Sequence, residues 1–194
     1  MNVYVMRHGQ TNYNELGLCN DNPSVDVHLT ETGIAQAEAA EKTLTSIPLS
    51  RIYVSELSRT KQTANIVNRN RGIPTYIDAR LNEIKTGFDG KPAIDYFAET
   101  GHDRYNFSPP GGESIKEFQD RVAGFITELR TVREQSTLIV THEETLKVFT
   151  AYFEDLSADE MMSLNYTNCE IIKYPLLPSV TLNLMALHSI SARR

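Results

Sequence analysis

The stretch that decides the fold is residues 2–11, NVYVMRHGQT. Its first half contains the β-branched and aromatic residues that are typical of strands, and these are followed by Arg7-His8-Gly9. The stretch therefore predicts a short buried strand that ends at the RHG sequence. A second run, TLIVT at 137–141, has the same character and is followed directly by His142. In an open α/β sheet, ligands bind beyond the carboxyl ends of the strands. If the two strands are neighbours, His8 and His142 therefore face one crevice.

Strand-like runs alternate with helical spacing along the rest of the chain. Thr30 can cap a helix whose predicted inner face is Ile34, Ala37, Ala40, Leu44 and Ile47. Capping boxes begin two more helices, at Ser114–Glu117 and Ser157–Glu160. Further strands are predicted at 51–55, 74–77, 169–174 and 180–187. This order predicts an α/β fold, a three-layer sandwich with a mostly parallel central sheet flanked by helices and with a small inserted cap.

The length of 194 residues suits one domain over 1–194, and no linker divides it. The segment at about 86–112 is rich in glycine and proline and carries aromatic residues that include Tyr96, Phe97, Tyr105 and Phe107. We expect it to form an irregular excursion that serves as the cap or lid. It is the part of the chain that can shape a substrate pocket.

Composition narrows the classes of partner. The net charge of −6 argues against nucleic acid and anionic membranes, which bind cationic surfaces. No apolar run approaches the ~20 residues of a membrane-spanning helix, and the N-terminus does not resemble a secretory signal. Cys19 and Cys169 are far apart and belong to no CxxC pair, so two reduced thiols are expected. A cytoplasmic protein is the prediction.

Two arginines are suited to binding a phosphate. Arg7 stands beside His8, and a guanidinium group binds phosphate oxygens in a bidentate manner. Arg59 falls in the first turn of a predicted helix, where a cation is mildly unfavourable. A phosphate at that helix N-terminus would explain the position.

Six ordered blocks resemble the signatures of the histidine phosphatase superfamily, also called phosphoglycerate mutase-like. Arg7-His8-Gly9-Gln10-Thr11 with Asn14 is similar to its RHG block. The others are similar to its later blocks: Leu29-Thr30-x-x-Gly33-x-x-Gln36-Ala37, Ser55-x-Leu57-x-Arg59-x-x-Gln62-Thr63-Ala64, Leu81-x-Glu83 with Gly87 and Gly90, Pro110-Gly111-Gly112-Glu113-Ser114, and Val140-Thr141-His142. They span residues 3 to about 150.

The resemblance implies a role for each matched residue. His8 would be the nucleophile that forms a phosphohistidine, and Glu83 would donate a proton to the leaving group. Arg7, Arg59 and His142 would hold the phosphoryl oxygens, and the expected substrate-binding residues are Thr11, Asn14, Gly9 and Glu143. Asp89, Glu99 and Glu113 are competing carboxylates for the role of proton donor. The resemblance implies no metal and no cofactor.

One residue departs from the family pattern at the expected site. Glu143 stands directly after His142, where family members usually have glycine. Its carboxylate would either face the phosphate and repel it or turn away along the next helix. If it faces inward, catalysis would be weak or directed at an unusual substrate.

Hydrolysis is favoured over phosphoryl return, because Glu83 is followed by Ile84-Lys85-Thr86-Gly87 and not by the mutase element R-x-Y-G. The expected partner is a small phosphorylated metabolite of the α-ribazole phosphate or sugar-phosphate type. Three alternatives stay open: mutase-type phosphoryl transfer, a protein phosphohistidine or phosphotyrosine phosphatase, and a catalytically weak phospho-ligand sensor. A homodimer is possible, with the closing strands as an edge.

Overall fold

A five-stranded, mostly parallel sheet forms the centre of the protein. The computed structural model describes residues 2–131 and 136–176. The strands are β1 (Asn2–Arg7), β2 (Leu49–Val54), β3 (Thr75–Ile77), β4 (Ser136–Thr141) and β5 (Ile171–Pro175). Their order across the sheet is β3-β2-β4-β1-β5, and only the β1–β5 pair among them is antiparallel. The two strands that precede His8 and His142 are therefore neighbours.

Helices connect these strands. They are α1 (Asn12–Leu16), α2 (Glu31–Leu44), α3 (Ser58–Asn68), α4 (Ala93–Thr100), α5 (Ile115–Leu129), α6 (Glu143–Glu154) and α7 (Ala158–Ser163), with a 3₁₀ turn at Ala79–Leu81. Side chains of α5, α6 and α7 pack on one face of the sheet, and side chains of α2 and α3 pack on the other.

Alternation along the strands feeds these two cores. Val3 and Val5 of β1 point to the α5–α6 side, while Met6 points to the α2–α3 side. In β4, Ile139 belongs to the first core, whereas Leu138 and Val140 belong to the second. A strand buried on both faces needs a continuous apolar run, as TLIVT is. The predicted three-layer α/β sandwich is confirmed.

The predicted inner face of α2 is wrong at its start. Ile34 is 43% exposed, and the buried residues are Gly33, Ala37, Ala40 and Leu44. The face is rotated because Gly33 lies against the backbone of Gln10, where a Cβ would come within 2.0 Å of the Gln10 oxygen. Ile47 falls beyond the helix, although it packs against the same core.

The excursion at 86–112 is more regular than expected, because α4 lies within it. Its two ends meet: the N–H of Glu113 donates to the Lys85 carbonyl at 2.8 Å. Its first part pairs with the first loop, where the N–H of Cys19 donates to the Lys91 carbonyl at 2.9 Å. The excursion is thus fixed beside the carboxyl end of β1.

Three smaller predictions have different outcomes. The strand expected at 169–174 is β5, displaced by one or two residues. The strand expected at 180–187 lies outside the described residues. Cys19 and Cys169 are free thiols, as expected.

Candidate active site

The pairing of β1 with β4 brings the two histidines together. Arg7 is in register with Thr141, so the next residue of each strand leaves the sheet at the same edge. The ring centroids of His8 and His142 are 5.3 Å apart, and the rings meet edge to face. Both rings are buried.

The hydrogen bonds of His8 define its tautomer. Nδ1 lies 2.7 Å from the Gly9 carbonyl oxygen, which can only accept, so Nδ1 carries the proton. Arg59 Nε donates to Nε2 at 3.0 Å, so Nε2 presents its lone pair. Burial, and next the positive charge of Arg59, hold the pKa of His8 well below its usual value. His8 is therefore a neutral imidazole with an unprotonated Nε2 at the pocket.

Arg59 is buried and held by a residue that the sequence analysis missed. Its Nη2 donates to the backbone carbonyl of Asn20 at 3.0 Å, and its Nη1 donates to the Asn20 side-chain oxygen. Burial lowers the pKa of Arg59 to about 10, so the guanidinium keeps its charge at neutral pH. Sequence spacing carries no signal for Asn20, which reaches the site through the first loop.

Glu83 lines the same pocket as the two arginines, with 20% of its side chain exposed. Its Oε1 accepts from the N–H of Ile84 at 3.0 Å, and its Oε2 lies 3.8 Å from His142 Nδ1. Burial is the main reason that the pKa of Glu83 rises to about 7. The carboxyl can therefore hold a proton near neutral pH and also release it.

The competing carboxylates are engaged elsewhere or do not reach the pocket. Asp89 accepts from the backbone N–H groups of Asp21 and Asn22, and Glu113 binds the Arg121 guanidinium at 2.7 Å. Glu99 is exposed on α4. Among the four carboxylates considered from the sequence, only Glu83 lines the pocket.

His142 is fully buried and is not among the residues that line the pocket. Its Nε2 is 2.9 Å from Ser55 Oγ, at the end of β2, whereas its Nδ1 has no hydrogen-bond partner among the described residues. Burial, and then Arg59, lower the pKa of His142 well below its usual value. Ser55 fixes the ring, a contact that the β2–β4 neighbourhood explains but that the sequence analysis did not predict.

Glu143 is turned inward. Its Oε2 lies 2.7 Å from Nη1 of Arg7, and both side chains line the pocket. The same Arg7 nitrogen donates to the Tyr166 carbonyl, while Arg7 Nε has no partner among the described residues. Of the two expected orientations, the structure therefore shows the one that faces the site.

The other expected binding residues have supporting contacts. Thr11 and Asn14 line the pocket and form the capping box of α1, in which each side chain accepts from the other's backbone N–H. Gly9 is not among the pocket-lining residues. Its N–H donates to Thr63 Oγ1 at 3.1 Å, and its carbonyl orients His8, so its contact is with the nucleophile candidate.

The remaining pocket wall comes from the first loop, the excursion and α6. It is formed by Tyr13, Leu18, Cys19, Asn20, Val27, Ile84, Thr86, Ala93, Tyr96, Phe97, Arg104 and Glu144. Arg104 and Glu144 were not recognised from the sequence, since no motif covers them. Within the described residues, no cluster of His, Cys, Asp and Glu is arranged to hold a metal ion. Nor is any of the described helices long and apolar enough to cross a membrane.

Two strand-end histidines, two arginines and one carboxyl with a raised pKa thus meet at one edge of an α/β sheet, which is the arrangement of a phosphate-binding site. The sequence model of the histidine phosphatase superfamily (branch 1) matches residues 3–177. The chain belongs to this superfamily.

Individual relatives include both hydrolases and mutases. An adenosylcobalamin/alpha-ribazole phosphatase from Salmonella typhimurium is 32% identical over 160 residues, which cover 78% of each protein. A 2,3-bisphosphoglycerate-dependent phosphoglycerate mutase from Allorhizobium ampelinum is 29% identical over 179 residues, which cover 84% of each. The crystal structure of the alpha-ribazole phosphatase from Shigella flexneri matches with a TM-score of 0.81 and 27% identity, over 89% of each chain.

Proposed function

We propose that this protein hydrolyses phosphomonoesters through a phosphohistidine formed on Nε2 of His8. The observation that carries the proposal is the tautomer of His8, with the proton on Nδ1 and the lone pair of Nε2 at the pocket. A histidine can attack phosphorus only through an unprotonated nitrogen. The substrate is a small phosphorylated metabolite of the α-ribazole phosphate or sugar-phosphate type.

Cationic and hydrogen-bonding groups around Nε2 stabilise the phosphoryl group in transit. Arg59 contacts Nε2 itself, Arg7 lines the same pocket, and the unpartnered Nδ1 of His142 lies 3.8 Å from Glu83 Oε2. Such groups stabilise charge on the equatorial oxygens, the task that metal ions perform in kinases. We therefore propose that no metal or other cofactor takes part.

Glu83 moves the proton in both halves of the reaction. In the first half, the Arg59 N–H moves from His8 Nε2 to a phosphoryl oxygen and frees the Nε2 lone pair. The bond between phosphorus and the ester oxygen breaks, His8 Nε2 bonds to phosphorus, and Glu83 protonates the leaving oxygen. In the second half, the carboxylate takes a proton from water, which attacks phosphorus and releases inorganic phosphate and His8. A pKa of about 7 suits both directions, because neither protonation state is costly at neutral pH.

Hydrolysis and phosphoryl return differ in what accepts the phosphoryl group. The relatives include enzymes of both names, so residue-level features must decide. Glu83 is followed by Ile84 and Lys85, without the arginine and tyrosine that follow the donor glutamate in mutases. Water is therefore the proposed acceptor.

The test is hydrolysis of an aryl phosphate in EDTA by wild type, His8→Ala and His28→Ala. His28 is an exposed histidine that does not line the pocket, so its variant is the matched control. We expect EDTA-resistant phosphate release that only His8→Ala abolishes, and a phosphoenzyme that is stable in alkali and labile in acid. Activity that requires a metal or that survives in His8→Ala would contradict the mechanism.

Three further readouts separate the alternatives. Phosphate transfer to added glycerate that exceeds phosphate release would indicate a mutase. Turnover of phosphohistidine or phosphotyrosine peptides above all small esters would indicate a protein phosphatase. Phosphate binding by folded protein that forms no phosphoenzyme would indicate a sensor.

A further inference from the structure

Two adjacent glutamates at the start of α6 each form an ion pair with an arginine of the pocket. Glu143 pairs with Arg7 at 2.7 Å, and Glu144 Oε1 lies 3.3 Å from Arg104 Nη2. All four side chains line the pocket. The first turn of a helix stabilises carboxylates in their ionised form. The pocket therefore contains two built-in anions beside its cations.

Arg104 comes from a different part of the chain from Arg7 and Arg59. It belongs to the excursion, and its guanidinium carbon lies 4.9 Å from the ring centroid of Phe97 and 5.8 Å from that of Tyr96. Arg7 and Arg59 lie at the histidine end, where they can hold the phosphoryl group. Arg104 is thus the cation that a substrate's leaving group would meet along the aromatic wall.

Glu144 already forms ion pairs with two cations, Arg104 and Lys147. Lys147 Nζ is 2.9 Å from Glu144 Oε1 and 3.9 Å from Glu143 Oε1. Glu143 is shared between Arg7 and Lys147, and Glu144 is shared between Arg104 and Lys147, so each carboxylate is already paired with cations of this cluster. If a substrate has a second acidic group, that group can bind Arg104 only in competition with the Glu144 carboxylate, which also repels it.

The rest of the leaving-group wall is largely apolar. Leu18, Val27, Ala93 and Phe97 line it, and Phe97 is exposed. An apolar or aromatic leaving group binds favourably against such a wall, whereas a charged leaving group gains little binding free energy from it.

We infer that Glu144 is a specificity-determining residue that pairs with Arg104 and restricts the enzyme to esters with one phosphate and an uncharged leaving group. The inference rests on the proposed function and names the substrate class of the same site. Bisphosphates and phosphorylated carboxylic acids fall outside this class. Phosphoglycerate is such an acid, so the inference also favours hydrolysis of other esters over mutase chemistry.

The test compares two substrates that differ in charge and hardly in shape, meta-carbamoylphenyl phosphate and meta-carboxyphenyl phosphate. We expect wild type to favour the uncharged carbamoyl ester in kcat/KM by about tenfold at low salt. Glu144→Gln should raise the ratio of kcat/KM for the carboxy ester to kcat/KM for the carbamoyl ester by about tenfold. The ratio is the readout because the charge of Glu144 also helps to raise the pKa of Glu83, which serves both esters. The gain should disappear when Arg104→Gln is added to Glu144→Gln.

Glu154→Gln is the matched control, because it removes the same charge from the exposed far end of α6. It should leave the ratio between the two esters unchanged. Equal kcat/KM for the two esters in wild type, or equal effects of Glu144→Gln on both, would overturn the inference and leave the proposed function intact.

Failure to hydrolyse either ester would count against the proposed function instead. Calorimetric binding of the same two esters to His8→Ala then tests the inference without turnover. Tighter binding of the carbamoyl ester, with the preference reduced by Glu144→Gln, would support it. The opposite order would overturn it.

Discussion

Nε of Arg59 donates a hydrogen bond to Nε2 of His8 over 3.0 Å. A guanidinium group has donors only, so this contact fixes the lone pair on the nitrogen that faces the pocket. A phosphorus atom that reaches Nε2 brings its oxygens within range of the same guanidinium. One buried arginine thus keeps the nucleophile unprotonated and lies where the transferred charge develops.

The raised pKa of Glu83 predicts the alkaline limb of the pH profile. The proton donor is present below a pH of about 7 and is lost above it, whereas the lowered pKa of His8 keeps that ring neutral across the same range. We expect kcat/KM to fall tenfold per pH unit above about 7 in wild type. Glu83→Gln should lose this limb, and Glu99→Gln, which changes an exposed carboxylate, should keep it.

Dependence on the leaving group provides a second check of Glu83. An alkyl alkoxide needs a proton as it departs, whereas an activated aryl oxide does not. Glu83→Gln should therefore slow the hydrolysis of an alkyl phosphate by about 10²- to 10⁴-fold and should slow the hydrolysis of a nitrophenyl phosphate far less. Equal losses on both esters would assign Glu83 a binding role without proton donation.

The same carboxyl should make stability depend on pH. Because its pKa is about 7 in the folded state and 4.5 as the ordinary value, the folded protein binds this proton more tightly than the unfolded chain. Its contribution to the unfolding free energy is present below about pH 4.5 and is lost as the pH rises through 7. Glu83→Gln avoids that loss. At pH 8 we expect the unfolding free energy of this variant to exceed that of wild type by on the order of 2 kcal/mol.

Denaturant unfolding of both proteins at pH 5 and at pH 8 measures this difference. The advantage of Glu83→Gln should shrink towards pH 5, where Glu83 is largely protonated in the folded state. An advantage of the same size at both pH values would show that it comes from packing and not from ionisation.

The sequence predicted what depends on strand periodicity and on chain order. TLIVT and residues 2–6 are short, mostly apolar runs that are each followed within two residues by a histidine, and their pairing follows from parallel topology. What it missed depends on contacts between distant loops, such as the hold of Asn20 on Arg59. The start of α2 was misjudged because an apolar pattern gives no weight to Gly33, whose backbone contact rotates the buried face. The sequence identified Glu143 as a departure from the family pattern, but it did not predict that the side chain faces the pocket, because that orientation depends on the ion pair with Arg7.

The contact at Gly33 predicts a large loss of stability. An added Cβ would lie 2.0 Å from the Gln10 oxygen, and backbone cannot yield as a side-chain end does. We expect Gly33→Ala to lower the unfolding free energy by about 3 kcal/mol or more, because overpacking moves β1's loop and α2 apart. Gly124→Ala is the matched control: nothing lies within 4 Å, and the site is an exposed position inside α5. It should stabilise the protein by about 0.5–1 kcal/mol.

The inward direction of Glu143 predicts how the departure from the family pattern acts. Its carboxylate competes with phosphate for Arg7 and adds a negative charge to the pocket. Glu143→Gln keeps the shape and removes the charge, so the inhibition constant for inorganic phosphate should fall about tenfold at low salt. The effect should weaken as salt rises, because screening shortens the range of the repulsion. Glu154→Gln should not change the inhibition constant. If Glu143→Gln instead weakens phosphate binding, the carboxylate serves mainly to position Arg7. Loss of the ion pair with Arg7 then outweighs the relief of repulsion.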